Sequence, residues 1–256
     1  MIPMTDGTDA QSVAQAFVLA SASPRRRELL TALGATFRII ATDAEEREDP
    51  APAHLNACLP SCPVPHLDHP TLRAWRKAHA VASAHPQQVI LAADTIVVLN
   101  GVVLNKPLDA AHAHEMLARL AGCEHTVYTG LCLYTQGGFH APRPQCIYTD
   151  DHAAYALELV KSMVSIAPLT SNQIAAYVAT GEPLDKAGAY GIQGLGGRLV
   201  QQVVGSYTAV VGLPIATAYA LLVAAGIDQL HAPEGAYYRW LELQGKAALP
   251  WPPTLP

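Results

Sequence analysis

Apolar positions along the chain switch between two periods, and the switches mark its elements. The run Phe17-Val18-Leu19-Ala20 is unbroken, as in a strand buried on both faces, and after Ser21-Ala22-Ser23 the residues Leu29, Leu30 and Leu33 recur at helical spacing. Ser23 is predicted as the N-cap of that helix, Pro24 as its first residue and Gly34 as its stop. A second strand is predicted over 36–40 and a helix over 71–83. Val89-Ile90-Leu91-Ala92-Ala93 is again continuously apolar. Asp94 follows at once, and the chain runs through Ile96-Val97-Val98-Leu99 to Asn100-Gly101 and back through Val102-Val103-Leu104. Asn-Gly between apolar runs predicts a hairpin in which Leu99 faces Val102. Counting back puts Thr95 opposite Lys106, with Asp94 one step further out. Pleating sends Asp94 and Thr95 to opposite faces, so a site using both requires a bulge or a strand end.

Further along, Asp109 is the predicted cap of a helix to Leu120, 126–135 alternates as a strand, 156–166 forms another, and Thr170 caps a helix to Val178. Residues 50–70 and 142–155 read as irregular, and the stretch after His231 carries no readable motif. Residues 208–227 hold no charge and are long enough to span a membrane. Gly212-Leu213-Pro214 interrupts them and no basic anchors flank them, so the expectation is a strand of β-branched residues, a turn and a buried helix, with no membrane partner.

Composition narrows the picture. Half of the 256 residues are hydrophobic and 14% are charged, which excludes a disordered chain. The formal net charge of −5 argues against a general nucleic-acid binder, so any phosphate site must be local. Cys58, Cys62, Cys123, Cys132 and Cys146 are odd in number and scattered, as expected of a reducing cytoplasm rather than a disulfide scaffold. Asp6 and Asp9, with no early Lys or Arg, are not expected in a signal peptide. Cys58, Cys62, His66 and His69 have a C-x3-C-x3-H-x2-H spacing that resembles a zinc site, but the prolines between them match no common finger, and both readings stay open.

Three stretches carry candidate chemistry. Arg25, Arg26 and Arg27 sit in the first helical turn, where the dipole favours anions, and a phosphate held by free backbone N–H groups and Arg forks would remove that conflict. Solvated arginines are the alternative. The hairpin delivers Asp94 and Lys106 to one end of a sheet, as a site or as a surface ion pair. Residues 182–197 are too glycine-rich for a helix and lack the Gly-x-Gly-x-x-Gly register. They either make ordinary turns or let backbone approach a ligand, with Gln193 offering a donor and an acceptor to a base edge. The acidic cluster Asp43, Glu45, Glu46, Glu48 and Asp49 reads by itself as a solvated loop.

Four motifs then coincide in order: Leu19-Ala20-Ser21-Ala22-Ser23-Pro24-Arg25-Arg26; Ala93-Asp94-Thr95 with Lys106-Pro107; Leu184-Asp185-Lys186-Ala187-Gly188-Ala189-Tyr190-Gly191-Ile192-Gln193-Gly194; and Gly205-Ser206-Tyr207 with Val211-Gly212-Leu213-Pro214. Together they resemble the Maf family of nucleoside triphosphate pyrophosphatases over 16–228, between an extension at 1–15 and a tail at 229–256. The resemblance implies an α/β fold, with a mixed central sheet flanked by helices and two lobes around a nucleotide cleft. It also implies a homodimer, and hydrolysis between the α and β phosphates with Mg²⁺ or Mn²⁺. By position it makes Asp94 the proton acceptor, Glu46 an active-site residue, and Arg25, Thr95 and Gln193 the determinants of substrate choice. Hard oxygen ligands suit the metal, so Asp94 and Glu46 are its expected partners, and the base and metal roles of Asp94 are not separable in the sequence. Ser23, Arg26, Lys77, Lys106 and Lys186 become the groups that bind substrate phosphates. Ala93-Asp94-Thr95 and Asp185-Lys186-Ala187-Gly188-Ala189-Tyr190 resemble the branch acting on dTTP and UTP, whereas the 7-methyl-GTP branch carries Ser-Asp-Gln at the first of these places. Residues 50–70 and 136–155 are longer excursions than the family pattern, and the tail is unmatched.

Overall fold

A computed structural model describes residues 16–47, 51–140, 144–150 and 153–246, with the backbone alone for Glu46. The extension at 1–15 and the acidic residues Glu48 and Asp49 lie outside the described residues. In chain order come β1 (Phe17–Leu19), α1 (Pro24–Ala32), β2 (Phe37–Ile39), α2 (Ala53–Cys58) and α3 (Pro70–Ala84). The hairpin β3 (Ile90–Leu99) and β4 (Val102–Leu104) is followed by α4 (Ala110–Leu120), β5 (Glu124–Thr135), β6 (Cys146–Thr149), β7 (Ala154–Ile166) and α5 (Ser171–Val178). Short 3-10 turns fill much of 182–199, before β8 (Val200–Val204), α6 (Tyr207–Val211), α7 (Ile215–Ala224) and α8 (Pro233–Leu243).

The helix starts follow local chemistry. Ser23 and Pro24 open α1, Asp109 Oδ1 accepts from the His112 N–H at 2.8 Å to cap α4, and Thr170 and Gln173 form a reciprocal capping box on α5. Asn100 and Gly101 both take positive φ, and Leu99 pairs with Val102, as the two-residue turn requires.

The strands form one sheet in the order β2-β1-β3-β5-β7-β6, with β4 added to β3 and β8 to β7. β1 runs parallel to β2 and β3, and the other pairs are antiparallel. Period-2 alternation divides the side chains between two cores. Leu19, Leu91, Ala93 and Leu131 pack in one core with residues of α1, α4, α7 and α8, while Val18, Ile90, Ala92 and Cys132 join α2 and α3 in the other. Leu29, Leu30 and Leu33 are fully buried on the first side, each contributing roughly 2 kcal/mol by removal from water.

Several expectations are corrected. The uncharged stretch 208–227 begins as a helix rather than a strand, because the Ser206 hydroxyl caps the Ala209 N–H at 3.1 Å and burial outweighs the β preference of Thr208, Val210 and Val211. No helix among the described residues is long and apolar enough to cross a membrane. The irregular stretches contain α2 and the edge strand β6, whose four residues are too few for their alternation to stand out. Beyond His231, α8 buries Tyr237 and Trp240 completely in the main core. Cys58 and Cys146, expected as free thiols, are joined in a disulfide between α2 and β6.

That disulfide also removes Cys58 from the zinc reading, and no group of three or more His, Cys, Asp or Glu among the described residues is arranged to hold a metal. His66 instead meets the Asn56 side-chain oxygen at 2.9 Å. His69 caps α3: its Nδ1 accepts from the Thr71 N–H at 3.2 Å, so its Nε2–H donates to the Pro60 carbonyl at 2.8 Å.

Candidate active site

The site originates in a break along one edge of β3. β1 pairs with β3 only at Ile90 and Leu91, and β4 takes up that edge only at Val97, so residues 92–96 have no strand partner there among the described residues. On the other edge β5 pairs with β3 without interruption from Ile90 to Val98. Asp94 and Thr95 therefore keep their opposite faces and still both line one cavity of about 640 Å³. Neither the bulge nor the strand end expected from the pleat is used; the gap between two successive edge partners serves instead.

On the α3 face, charges surround Asp94. Lys77, buried on α3, donates to Asp94 Oδ1 at 2.8 Å, to Glu45 Oε1 at 3.1 Å and to the Ala93 carbonyl at 3.3 Å. Arg73, one turn earlier, stands 3.8 Å from Asp94 Oδ2. Asp94 Oδ2 and Glu45 Oε2 are buried without a hydrogen-bond partner. A glycine makes this wall possible. Gly130 is the cross-strand neighbour of Asp94, and a Cβ there would lie 2.5 Å from the Thr71 Cα, so α3 rests directly on β5.

On the opposite face, neutral groups hold Thr95. Thr129 Oγ1 donates to the Ala209 carbonyl at 2.8 Å, which leaves the Thr95 hydroxyl to donate to Thr129 at 2.9 Å and accept from Arg26 Nη2 at 3.4 Å. Arg26 is buried, with Nε on the Gly212 carbonyl at 2.8 Å and Nη1 on Ser21 Oγ at 3.0 Å. Burial pulls its guanidinium below the ordinary value while the charge of Asp94 opposes that shift. Arg26 therefore ties α1 to β3 and to the turn before α7.

Residues 182–197 form a strap over that same face. A Cβ on Gly188, at φ +70°, would stand 2.9 Å from Val97 Cγ1, so only glycine lets the strap lie this close to β3. Glu182 staples it. Its Oε2 accepts from the Leu195 N–H at 2.8 Å, and its Oε1 from the Gly196 N–H at 3.0 Å and the Tyr177 hydroxyl at 2.8 Å. Burial pushes the Glu182 carboxyl up, but these bonds and Lys186 together hold it below its ordinary value. Lys186 is paired with Asp185, and Tyr190 with the buried His125 at 2.8 Å. Gln193 Oε1 is buried and has no hydrogen-bond partner.

Every site residue named from the sequence whose side chain is described lines this one cavity. Ser23 and Arg25 enter from the start of α1, Lys77 from α3, Lys106 from beyond β4, and Lys186 and Gln193 from the strap. The Ser23 side chain makes no capping bond and no acid occupies the first turn of α1, so that helix end is open to an anion. The side chain of Glu46 lies outside the described residues; its neighbour Glu45 holds Lys77. Sequence reasoning gave no role to Arg73, Glu45, Glu182 or Gln244. Glu45 and Glu182 stood inside stretches already singled out, whereas nothing local marks Arg73 or Gln244.

A family model described as "Maf-like protein" matches residues 16–225. A dTTP/UTP pyrophosphatase of Shigella boydii serotype 4 (strain Sb227) is 45% identical over 206 residues, covering 80% of this chain and 90% of the relative. A dTTP/UTP pyrophosphatase of Escherichia coli O157:H7 and a nucleoside triphosphate pyrophosphatase of Shigella flexneri are each 44% identical, with the same coverage. With the motif residues converging on one cavity and a family match over most of its length, the chain belongs to the family of Maf-like proteins.

Proposed function

We propose that this protein hydrolyses nucleoside triphosphates, dTTP and UTP first among them, between the α and β phosphates, giving a nucleoside monophosphate and pyrophosphate. The observation that carries the reading is Asp94. One of its oxygens is held by Lys77 and the other is buried without a hydrogen-bond partner, beside a cavity lined by Arg25, Lys106, Lys186 and the open end of α1. These cations and N–H groups bind the triphosphate and stabilise charge as it moves onto the leaving pyrophosphate. Asp94 Oδ2 accepts the proton of the water that attacks the α phosphorus, as the bond to the bridging oxygen breaks. Lys77 orients Asp94 rather than holding phosphate, and Arg26 acts through the Thr95 and Gly212 contacts. The donors of Gln193 and of nearby backbone read the base edge.

A divalent cation fits the α3 wall. Glu45 Oε2 is buried without a hydrogen-bond partner, and Mg²⁺ or Mn²⁺ needs only one or two carboxylates plus substrate oxygens, so Glu45 would hold it and leave Asp94 Oδ2 to take the proton. Glu46, named by the resemblance, is in the same short turn as Glu45. When bound there, the metal supplies Lewis acidity toward a phosphate oxygen. The homodimer that the resemblance implies belongs to this reading, and light scattering of the purified chain tests it.

The decisive assay measures pyrophosphate release from dTTP, UTP, CTP, the purine triphosphates and 7-methyl-GTP, with Mg²⁺ or Mn²⁺ added. Release that is fastest from dTTP and UTP is expected. Preference for 7-methyl-GTP would move the protein to the other branch, orthophosphate in place of pyrophosphate would place cleavage at another bond, and binding without release would make it a regulator.

A further inference from the structure

The element least visible in the sequence leads the chain back to the site. α8 and the residues after it lie beyond the span matched by the family model, 16–225, yet Gln244, just past the helix, lines the cavity. The helix is fixed in the main core, with Tyr237 and Trp240 fully buried. It is also tied to α1, where the His231 N–H donates to the Leu33 carbonyl at 2.7 Å and Arg239 Nη1 to the Ala32 carbonyl at 3.5 Å. Just past its end, Gln244 lines the cavity and donates from Nε2 to Glu28 Oε2 at 3.1 Å. Two residues later, Lys246 Nζ donates to the Ile192 carbonyl at 3.4 Å and to the Tyr207 hydroxyl at 3.3 Å, 5.9 Å from the centre of that ring. Tyr207 in turn donates to the same Ile192 carbonyl at 3.3 Å.

Ile192 is the residue before Gln193, whose buried amide oxygen has no hydrogen-bond partner. Much of the strap is 3-10 turn and glycine, so its placement depends on such cross-links more than on a ladder of its own. Burial lowers the Lys246 ammonium from its ordinary value, opposed by Glu182; a cation drawn this far from water onto a backbone carbonyl costs free energy unless its bonds are made.

We infer that Lys246 is a positioning residue for base recognition, fixing Ile192 so that Gln193 meets the base edge, and that Gln244, beside Glu28 of α1, adds a polar contact to the substrate. This rests on the nucleotide reading of the site. Neither residue touches Asp94 or Lys77 in any hydrogen bond or ion pair seen here, so their removal acts on binding and selectivity before chemistry.

The test combines kinetics with calorimetric binding of dTMP, using wild type, Lys246→Met, Lys246→Arg and Gln244→Ala, each checked for an unchanged melting temperature. Lys246→Met is expected to raise KM for dTTP and weaken dTMP on the order of tenfold, as for loss of a charged hydrogen bond, with the loss carried mainly by KM and the preference over purine triphosphates narrowed. Lys246→Arg is expected to restore most of both, and Gln244→Ala to act in the same direction by a smaller factor. Folded Lys246→Met protein with wild-type KM, dTMP affinity and base preference overturns the inference alone, as does a variant that loses kcat and all bases equally. Wild type that binds dTMP but releases no pyrophosphate overturns the catalytic reading alone, because the binding arm still tests Lys246. Wild type that neither binds nor hydrolyses nucleotide brings down both.

Discussion

The two walls of the cavity are held by different kinds of bond. On the α3 face, a buried lysine bridges two carboxylates and rests on a strand that is paired without interruption to its neighbour. On the strap face, the wall is backbone and glycine, stapled by Glu182, Tyr177 and the Tyr207 hydroxyl. Charge fixed on a rigid sheet suits a step in which a proton and a leaving group must be placed within a fraction of an ångström. Backbone that approaches closely and leaves one amide oxygen unpartnered suits recognition of a flat, polar base edge. On the proposed reading, the proton acceptor and the base reader stand on opposite faces of one strand, and substitutions should separate rate from selectivity.

The sharpest break comes from Asp94→Asn. The carboxylate is replaced by an amide of the same shape, so the fold is retained, the proton acceptor is lost, and kcat falls on the order of 10²-fold or more with base preference unchanged. Pyrophosphate release at the wild-type rate would remove Asp94 from the chemistry and with it the assignment of the α3 wall.

A matched pair of glycine substitutions tests the two walls together. In Gly130→Ala, the new methyl meets the backbone of Pro70 and Thr71 and pushes α3, with Lys77 and Arg73, away from Asp94. In Gly196→Ala it meets the Tyr177 hydroxyl and the Gly191 backbone nitrogen, the latter 2.9 Å away, and shifts the strap. Overpacking of this kind costs about 1–3 kcal/mol of stability in either case. Beyond that shared cost, Gly130→Ala should lower kcat on the order of tenfold for every nucleotide, and Gly196→Ala should raise KM and flatten base preference. Identical kinetic profiles for the two variants would erase the division between the walls.

Much of this division was legible in the chain. Asn100-Gly101 set the hairpin register through the demand for positive φ, and the apolar run into Asp94 marked the strand that carries the site, though Asp94 lies within β3 and not at its end. The caps Ser23, Asp109 and Thr170 are local signals and local structure obeyed them. The motif residues were legible through the family resemblance, and those with described side chains line one cavity. What stayed hidden is non-local. That Lys77 faces two carboxylates depends on α3 crossing Gly130, and the gap along 92–96 depends on where two unrelated strands happen to stop. α8 was missed although Pro233 opens it, because Ala232 offers no side-chain cap, Gly235 weakens the first turn, and its apolar residues acquire meaning only against α1 and the core. The disulfide needed 88 residues of chain to be brought back on itself.

A smaller effect isolates the strap. Gln193→Ala leaves the charged wall intact, so its cost should fall on discrimination: the preference for dTTP and UTP over purine triphosphates narrows on the order of tenfold while kcat for dTTP changes little. Equal losses across all bases would show that Gln193 acts on the phosphates or on folding instead of the base.

The last effect is one of pH, read on stability and not on rate, and it also belongs to the strap side. His125 is buried beneath Tyr190, and burial lowers its imidazole to about 4. The unfolded histidine takes up its proton near pH 6.5, whereas the folded one does so only near 4. Across that window the unfolded state binds about one more proton, so stability is full above pH 6.5, falls as the solution is acidified toward 4, and then levels off for this group. Glu182, whose carboxyl is held below its ordinary value, adds a second loss in the same direction as pH falls through its folded value, since its stabilisation is present only above the unfolded carboxylate range. Urea unfolding at pH 7, 6, 5 and 4 should therefore show a declining stability in wild type and a flatter profile over 6.5 to 4 in His125→Leu. That variant starts from a lower value because the Tyr190 hydroxyl has lost its partner. Parallel profiles in the two proteins would mean that the acid response comes from elsewhere, and that the strap side is no more acid-labile than the wall carrying Asp94.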